Sequence, residues 1–239
     1  MYLGLSFDRP DQSNLEDSME GNRRQFLGSV AALSATGAFL PSALGAESPG
    51  PEPVSADWDV TWRQKIVGDF RAVYDNPIIN EGVGLWRAID WKKNVMEVYG
   101  DAAKDASTVL VIRHEAIPMI MSHAFWERHD LGTVNKINDS SGSPVKHNPY
   151  LTREGTAPGG RRGATIDAFL ESGGVILACN YAFGRSIVGP EQRKSGASQA
   201  DARTAALKEV IPGVIIQPSG FFAVIEAQRA GCHFFPAAG

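Results

Sequence analysis

The apolar run Val175–Cys179 constrains this chain more than any other stretch of its sequence. Gly173 and Gly174 precede the run, and Asn180 with further polar residues follows it. An uninterrupted apolar run of strand length between turn-forming residues is typical of a strand that is covered on both faces. Ligands of α/β proteins bind at the carboxyl ends of such strands, so Cys179 is the first candidate for chemistry.

Similar runs alternate with helical patterns along the rest of the chain. We predict strands at 69–75, 108–113, 175–179, 214–217 and 232–235. Helices are predicted at 80–99, 118–129, 165–170, 200–210 and 219–230. Because each crossover between parallel strands is right-handed and covers one face, this alternation predicts an α/β fold with a doubly wound, mostly parallel five-stranded sheet and helices on both faces.

Two polar segments interrupt this alternation. Residues 132–160 contain Gly, Ser, Asn, Pro and Thr with little periodicity, and a connection of this kind is either functional or mobile. Residues 188–198 form a second polar insertion shortly after the cysteine strand. In a parallel sheet this insertion lies beside the crevice, where it can act as a lid.

The N-terminal region has the composition of an export signal. Arg23 and Arg24 precede an uncharged, apolar stretch at 26–40, and small residues follow at 41–46. This order resembles a twin-arginine signal, so we predict a signal region at 1–46, export through the twin-arginine pathway and a periplasmic location. Met19 offers an alternative start close to the paired arginines, and the signal is either cleaved or kept as an anchor.

The rest of the chain is predicted to be a linker followed by one folded domain. Residues 47–66 combine prolines and polar residues with Trp58 and Trp62, as expected for a linker and anchoring segment. The folded domain then spans 67–239. No apolar run after the signal region reaches the length of a membrane span, so no transmembrane segment is predicted once the signal is removed.

Charge and motif content exclude several classes of function. The 23 basic and 27 acidic side chains nearly balance, whereas nucleic-acid binding requires clustered Lys and Arg, so no nucleic-acid partner is predicted. The chain has no phosphate-binding loop and no Gly-x-Ser-x-Gly motif. Its five histidines form no known ligand spacing, so neither a metal site nor a cofactor is predicted.

The two cysteines differ in their predicted positions. Cys179 ends a strand where a helix or polar turn begins, and backbone N–H groups at a helix start favour a thiolate. Arg185 and His114 can add positive charge there, although Cys179 can equally be a buried packing residue. Cys232 begins a strand and is expected near the opposite edge of the sheet, too far from Cys179 for a disulfide.

Five segments that end or follow predicted elements form a recognisable set. They are FRAVYD (70–75), VLVIRH (109–114), GVILACN (174–180), IPGV (211–214) and PSG (218–220). This set resembles the DsrE/DsrF-like proteins of the DsrE/TusD sulfur-relay superfamily over about residues 68–236. The resemblance implies a small, flavodoxin-like α/β fold that assembles as a homo-oligomer, either a trimer or a hexamer.

The resemblance also implies a function. In the sulfur-relay members a cysteine after the third or fourth strand carries persulfide sulfur, and Cys179 matches that position. A histidine after the second strand matches His114, although Glu115 replaces the glycine that follows it in the family. We therefore expect Cys179 to carry sulfane sulfur from a small sulfur species or a sulfur-transfer protein. The residues expected around the ligand are His114, Glu115, Asn180, Arg185 and Ser219.

A non-catalytic role is the alternative to sulfur transfer. In that case the crevice holds a small molecule or a partner protein in the periplasm, and Cys179 is structural. Enzymatic activity under the leading hypothesis is at most that of a sulfur carrier or transferase.

Overall fold

The computed structural model describes residues 55, 57–152 and 164–237. These residues include a sheet of five strands. The strands are β1 Arg71–Asn76, β2 Ser107–Ile112, β3 Val175–Cys179, β4 Val214–Gln217 and β5 His233–Pro236. Their order in the sheet is β4-β3-β2-β1-β5, and all neighbouring strands are parallel. The predicted α/β, flavodoxin-like doubly wound fold is therefore confirmed, with a sheet that is fully parallel.

Helices connect the consecutive strands. In chain order they are α1 Val83–Tyr99, α2 His123–Arg128, α3 Leu131–Val134, α4 Ile166–Glu171, α5 at 180–195, α6 Gln199–Leu207 and α7 Gly220–Arg229. Helix α5 is continuous, and its α-helical parts Asn180–Phe183 and Gly189–Ser195 flank the π-helical segment Gly184–Val188. Short 3-10 helices occur at Thr61–Lys65, Asn80–Gly82, Gly100–Ala103 and His114–Ile120.

The two faces of the sheet are covered unequally. Most helices pack on one face in a larger core that includes Leu85, Phe125 and Phe183. The other face is covered by Trp62, from the 3-10 helix Thr61–Lys65, and by Ala223 from α7. The chain steps outward from β1 to β4 and then returns to place β5 beside β1. Because crossovers are right-handed, that return places α7 on the face opposite to the other helices.

The central strands β2 and β3 are buried along their whole length, as their continuous apolar sequences predict. Ile112 of β2 lies opposite Ala178 of β3 in the parallel register. The next residue on each strand is Arg113 and Cys179, respectively, so these two residues reach the same edge of the sheet at the same level. The register therefore places a cation and a thiol together where ligands of this fold class bind.

The helix predicted at 118–129 is wrong in its start. Pro118 lies inside the 3-10 helix His114–Ile120. The α-helix α2 begins only at His123, because the Ser122 hydroxyl caps it by accepting a hydrogen bond from the Phe125 N–H at 3.1 Å.

The prediction of a polar insertion at 188–198 is also wrong. Residues up to Ser195 continue helix α5. Its polar residues Arg193, Lys194 and Ser195 are exposed on this helix, whereas the carboxylate of Glu191 is buried and lies 2.7 Å from Nε2 of His129. Gly196, with a φ of 69°, ends the helix in the left-handed conformation that glycine favours.

The long connection predicted at 132–160 is partly structured where it is described. Helix α3 occupies its start, and buried Asn148 donates hydrogen bonds to the carbonyl oxygens of Met119 (2.8 Å) and Met121 (2.7 Å). Residues 153–160, the predicted signal region 1–46 and the first part of the predicted linker lie outside the described residues. Across 57–152 and 164–237, no helix combines the length and apolar composition needed to cross a bilayer.

Candidate functional site

A cavity of about 310 Å³ lies at the carboxyl ends of β2 and β3. We call it the Cys179 cavity. Its lining comes from three places in the fold: the residues after β2, the end of β3 with the start of α5, and the start of α7. The lining residues are Arg113, His114, Glu115, Cys179, Tyr181, Ala182, Arg185, Ser186, Gly220 and Phe221. Four residues that the sequence predicts for the site, Cys179, His114, Glu115 and Arg185, meet here.

Cys179 stands at the junction between a strand and a helix. It is the last residue of β3 and, with φ −75° and ψ 116°, also the residue that precedes the first turn of α5. Its side chain is mostly buried in the larger core and also lines the cavity. The N–H groups of a helix start have no intrahelical partners and attract negative charge, and Cys179 lies directly beside those of α5.

Arg113 is the functional candidate that sequence reasoning missed. Its Nε and Nη2 donate to the two carboxylate oxygens of Asp75, at 2.6 and 2.7 Å. The pKa of Arg113 is raised, first by these hydrogen bonds, against the effect of burial, and further by the charges of Asp75 and of a Cys179 thiolate. A signal was available in the sequence, because an acid and a base end two consecutive parallel strands.

Gly220 allows Arg113 to pass beneath the start of helix α7. A Cβ at Gly220 would lie 2.5 Å from Cδ and 2.7 Å from Cβ of Arg113. Separations this short require one of the two groups to move. The absence of a side chain at this position therefore determines where the arginine can lie.

His114 and Glu115 form the exposed side of the cavity. His114 has a φ of 52°, in the left-handed region that residues other than glycine seldom adopt. Its Nδ1 lies 4.0 Å from a carboxylate oxygen of Glu115, and both side chains are exposed. Strained backbone of this kind is often found at binding sites, and here it turns the chain directly after β2.

Asn180 and Ser219, the other two predicted site residues, do not line the cavity. The Asn180 side-chain oxygen accepts a hydrogen bond from Arg203 at 2.7 Å. The buried Ser219 hydroxyl caps α7 by accepting from the Phe222 N–H at 3.1 Å. Asn180 therefore links the start of α5 to α6, and Ser219 serves the start of α7.

The π-helical segment of α5 positions the last two polar residues of the site. Arg185 and Ser186 both belong to this segment and both line the cavity. A π-helical turn shifts side chains relative to a regular helix, and such turns are frequent at functional sites.

Two aromatic side chains stand at the cavity mouth. Tyr181 is 69% exposed and Phe221 is 66% exposed, and both line the cavity. An exposed aromatic pair next to a buried thiol offers a contact surface for a ligand or partner. Among the described residues, no group of three or more His, Cys, Asp or Glu side chains is arranged to hold a metal ion.

The site and fold define an α/β protein with a thiol-containing cavity at the carboxyl edge of a parallel sheet. No model of a known protein family matches this sequence, and a comparison with curated proteins finds no significant match. The resemblance to DsrE/DsrF-like proteins therefore rests on the strand-end segments of the sequence.

Proposed function

We propose that this protein is an exported, DsrE-like sulfur carrier that holds sulfane sulfur as a persulfide on Cys179. The observation that carries the proposal is the Cys179 cavity, in which a thiol at a helix start lies at the level of a fixed arginine. A cation and a helix start both stabilise negative charge. The reactive thiolate and the product persulfide are both anions, so both are stabilised at this position.

The transfer step balances without a further reactant. With thiosulfate as donor, the Cys179 thiolate attacks the outer sulfur and forms a new S–S bond. The S–S bond of thiosulfate breaks, and sulfite leaves with the bonding electron pair. Cys179 then carries a persulfide anion, and no external oxidant or reductant is consumed. A sulfur-transfer protein that carries its own persulfide can act as donor by the same displacement.

The residues around Cys179 have separate roles in this proposal. Arg185 adds positive charge to the cavity, and His114 and Glu115 flank its exposed side. Asn180 and Ser219 act indirectly, since they organise the starts of α5 and α7. Tyr181 and Phe221 provide the apolar contact for a donor or acceptor protein.

Location and assembly complete the proposal. The paired arginines and apolar stretch of residues 22–46 support export to the periplasm through the twin-arginine pathway. Exposed Ile225 on α7 and exposed Phe234 and Phe235 on β5 support assembly as a homo-oligomer, because such apolar surface favours association.

Intact-mass analysis tests the proposal. The full chain is incubated with thiosulfate or polysulfide and measured before and after reduction. We expect an increase of one or more sulfur atoms that reduction removes. The increase should be lost in Cys179→Ser and retained in the matched variant Cys232→Ser. An absence of added sulfur in the wild-type protein, or its retention in Cys179→Ser, would contradict the carrier role.

A second candidate function follows from the burial of Cys179 in the larger core. Under it, the Cys179 cavity binds a small molecule or partner without covalent chemistry, and the cysteine only packs. In that case Cys179→Ser changes ligand affinity little, and no donor adds mass to the wild-type chain.

A further inference from the structure

Arg113 is held from two sides. Asp75 accepts two hydrogen bonds from its guanidinium, at 2.6 and 2.7 Å, and this paired geometry restricts both position and orientation. The start of α7 lies against the aliphatic part of Arg113, so closely that a Cβ at Gly220 would clash with it. The arginine is therefore fixed before any ligand arrives.

The guanidinium retains unused hydrogen-bond donors. It has five N–H groups, and Asp75 engages Nε and Nη2. No other hydrogen bond from this side chain is formed within the described parts of the chain. The side chain is 34% exposed and lines the Cys179 cavity. The remaining donors are thus available to a ligand beside Cys179.

The charges around the cavity favour an anion. Arg113 and Arg185 contribute positive charge to its lining, and the starts of α5 and α7 add partial positive charge. Glu115 opposes them, but its side chain is well exposed and screened by water. Asp75 offsets the formal charge of Arg113. The guanidinium N–H groups that Asp75 does not engage still form the positive end of this ion pair.

We propose that Arg113 is the anion-binding residue of the Cys179 cavity, positioned by Asp75 and Gly220. The cavity therefore selects donors in which the reacting atom is bonded to an oxyanion. This proposal deepens the proposed sulfur-carrier function by naming its donor class. In the thiosulfate reaction, the departing sulfite is the group that Arg113 binds. The anion preference itself does not depend on sulfur transfer.

A pair of alkylating reagents tests the preference. Iodoacetate and iodoacetamide attack a thiol in the same way and differ in charge. Their rates at Cys179 are measured in the full chain with Cys232→Ser, and the ratio is normalised to that of free cysteine. We expect the ratio to favour iodoacetate by about tenfold, since a charge-assisted hydrogen bond of ordinary strength gives a preference of this size. Arg113→Met should remove it.

Matched variants separate binding by Arg113 from structural damage. Arg113→Met leaves Asp75 without its partner, so the double variant Asp75→Asn/Arg113→Gln provides an uncharged pair that can still form a hydrogen bond. Gly220→Ala retains both charges and displaces the arginine, and it should lower the ratio several-fold. Arg185→Met should lower it less, because that arginine lacks the same fixation. Loss of the preference in Arg185→Met with retention in the Arg113 variants would overturn the assignment.

The same variants distinguish failure of this inference from failure of the carrier function. If the protein with wild-type Arg113 shows the same ratio of iodoacetate to iodoacetamide rates as free cysteine, that result overturns the anion site, whether or not thiosulfate loads sulfur onto Cys179. A raised ratio that Arg113→Met abolishes, with no sulfur loading from thiosulfate, overturns the carrier function and supports the anion site. Sulfur loading of Cys179 from thiosulfate that is slower in the double variant than in the protein with wild-type Arg113 supports both the anion site and the carrier function.

Discussion

The two cysteines of this chain are both free and similarly buried, yet their surroundings differ. Cys179 is 7% exposed, ends the interior strand β3 and lines a cavity. Cys232 is 5% exposed, precedes the edge strand β5 and packs in the smaller core beneath α7. Exposure alone does not separate the two thiols. Their positions do, because one lies at the carboxyl end of a parallel strand and the other at the amino end.

The helices next to the two thiols present opposite ends. Cys179 precedes the first turn of α5, whereas Cys232 follows the end of α7 and its N–H donates to the Ala227 carbonyl at 3.0 Å. Carbonyl groups at a helix end disfavour negative charge. Burial raises the pKa of Cys232 to about 11, even though the charge of Arg71 acts in the opposite direction. The comparison shows how a parallel sheet gives the same residue type two different surroundings, one at a helix start beside a cavity and one at a helix end within the core.

Native alkylation rates should show the largest difference. We expect Cys232, measured with iodoacetamide in Cys179→Ser, to react at least about 100-fold more slowly than Cys179 in Cys232→Ser, at about pH 8. The reason is that a thiol with a pKa near 11 is rarely ionised at that pH, and the Cys232 side chain packs in the smaller core. In denaturant the two rates should become equal. Equal rates in the native protein would remove the distinction.

The pH dependence of stability should show an intermediate effect. In the folded state the pKa of Cys232 is about 11, above the ordinary value of 9.0 that applies after unfolding. As pH rises, Cys232 therefore loses its proton in the unfolded chain before it does so in the folded protein. The contribution of this thiol to the unfolding free energy is present below pH 9 and is lost between pH 9 and 11. Relative to Cys232→Ala, the wild-type protein should lose on the order of 2 kcal/mol of unfolding free energy across that range.

Urea unfolding at a series of pH values, for wild type and Cys232→Ala in parallel, measures this loss. The difference between the two profiles isolates the contribution of Cys232 from those of the lysines and tyrosines, which titrate in the same pH range. Parallel profiles of unfolding free energy for the two proteins between pH 9 and 11 would show that folding does not raise the pKa of Cys232.

The smallest expected difference concerns serine substitution. Cys232→Ser places a hydroxyl in an apolar core and should cost about 1–2 kcal/mol of unfolding free energy, as for a buried polar group without a partner. Cys179→Ser should cost about 1 kcal/mol less, because the Cys179 cavity lets the hydroxyl reach water or Arg113. Urea midpoints at neutral pH, with unchanged slopes, measure both. A larger cost at Cys179 would favour a purely structural role for it.

Much of the fold followed from the sequence, since local patterns were sufficient. The strand predicted at 214–217 coincides with β4, and that predicted at 108–113 differs from β2 by one residue at each end. Buried strands of a parallel sheet must be apolar on both faces, so their sequences reveal them. The predicted site residues His114 and Glu115, which follow β2, and Cys179 and Arg185, at and after the end of β3, all line one cavity.

Local patterns did not predict features that depend on partners distant in the chain. The polar segment at 188–198 was interpreted as an insertion, because the buried partner of Glu191 is His129, far away in sequence. Pro118 suggested an α-helix start, but the Ser122 cap decided where α2 begins. Asn180 and Ser219 were polar residues near the site, and only their contacts show that they serve α5 and α7.

By itself, the sequence determined a parallel α/β sheet and the position of Cys179 at the end of a buried strand. Hydrophobic periodicity and turn residues act locally, so they are visible in one dimension. The tertiary structure decided which charges reach that thiol. Arg113 lies level with Cys179 because of the register between β2 and β3, and it is held there by Asp75 from β1 and by the space beside Gly220. Strand register and side-chain packing are relations between distant segments, and they exist only in the folded chain.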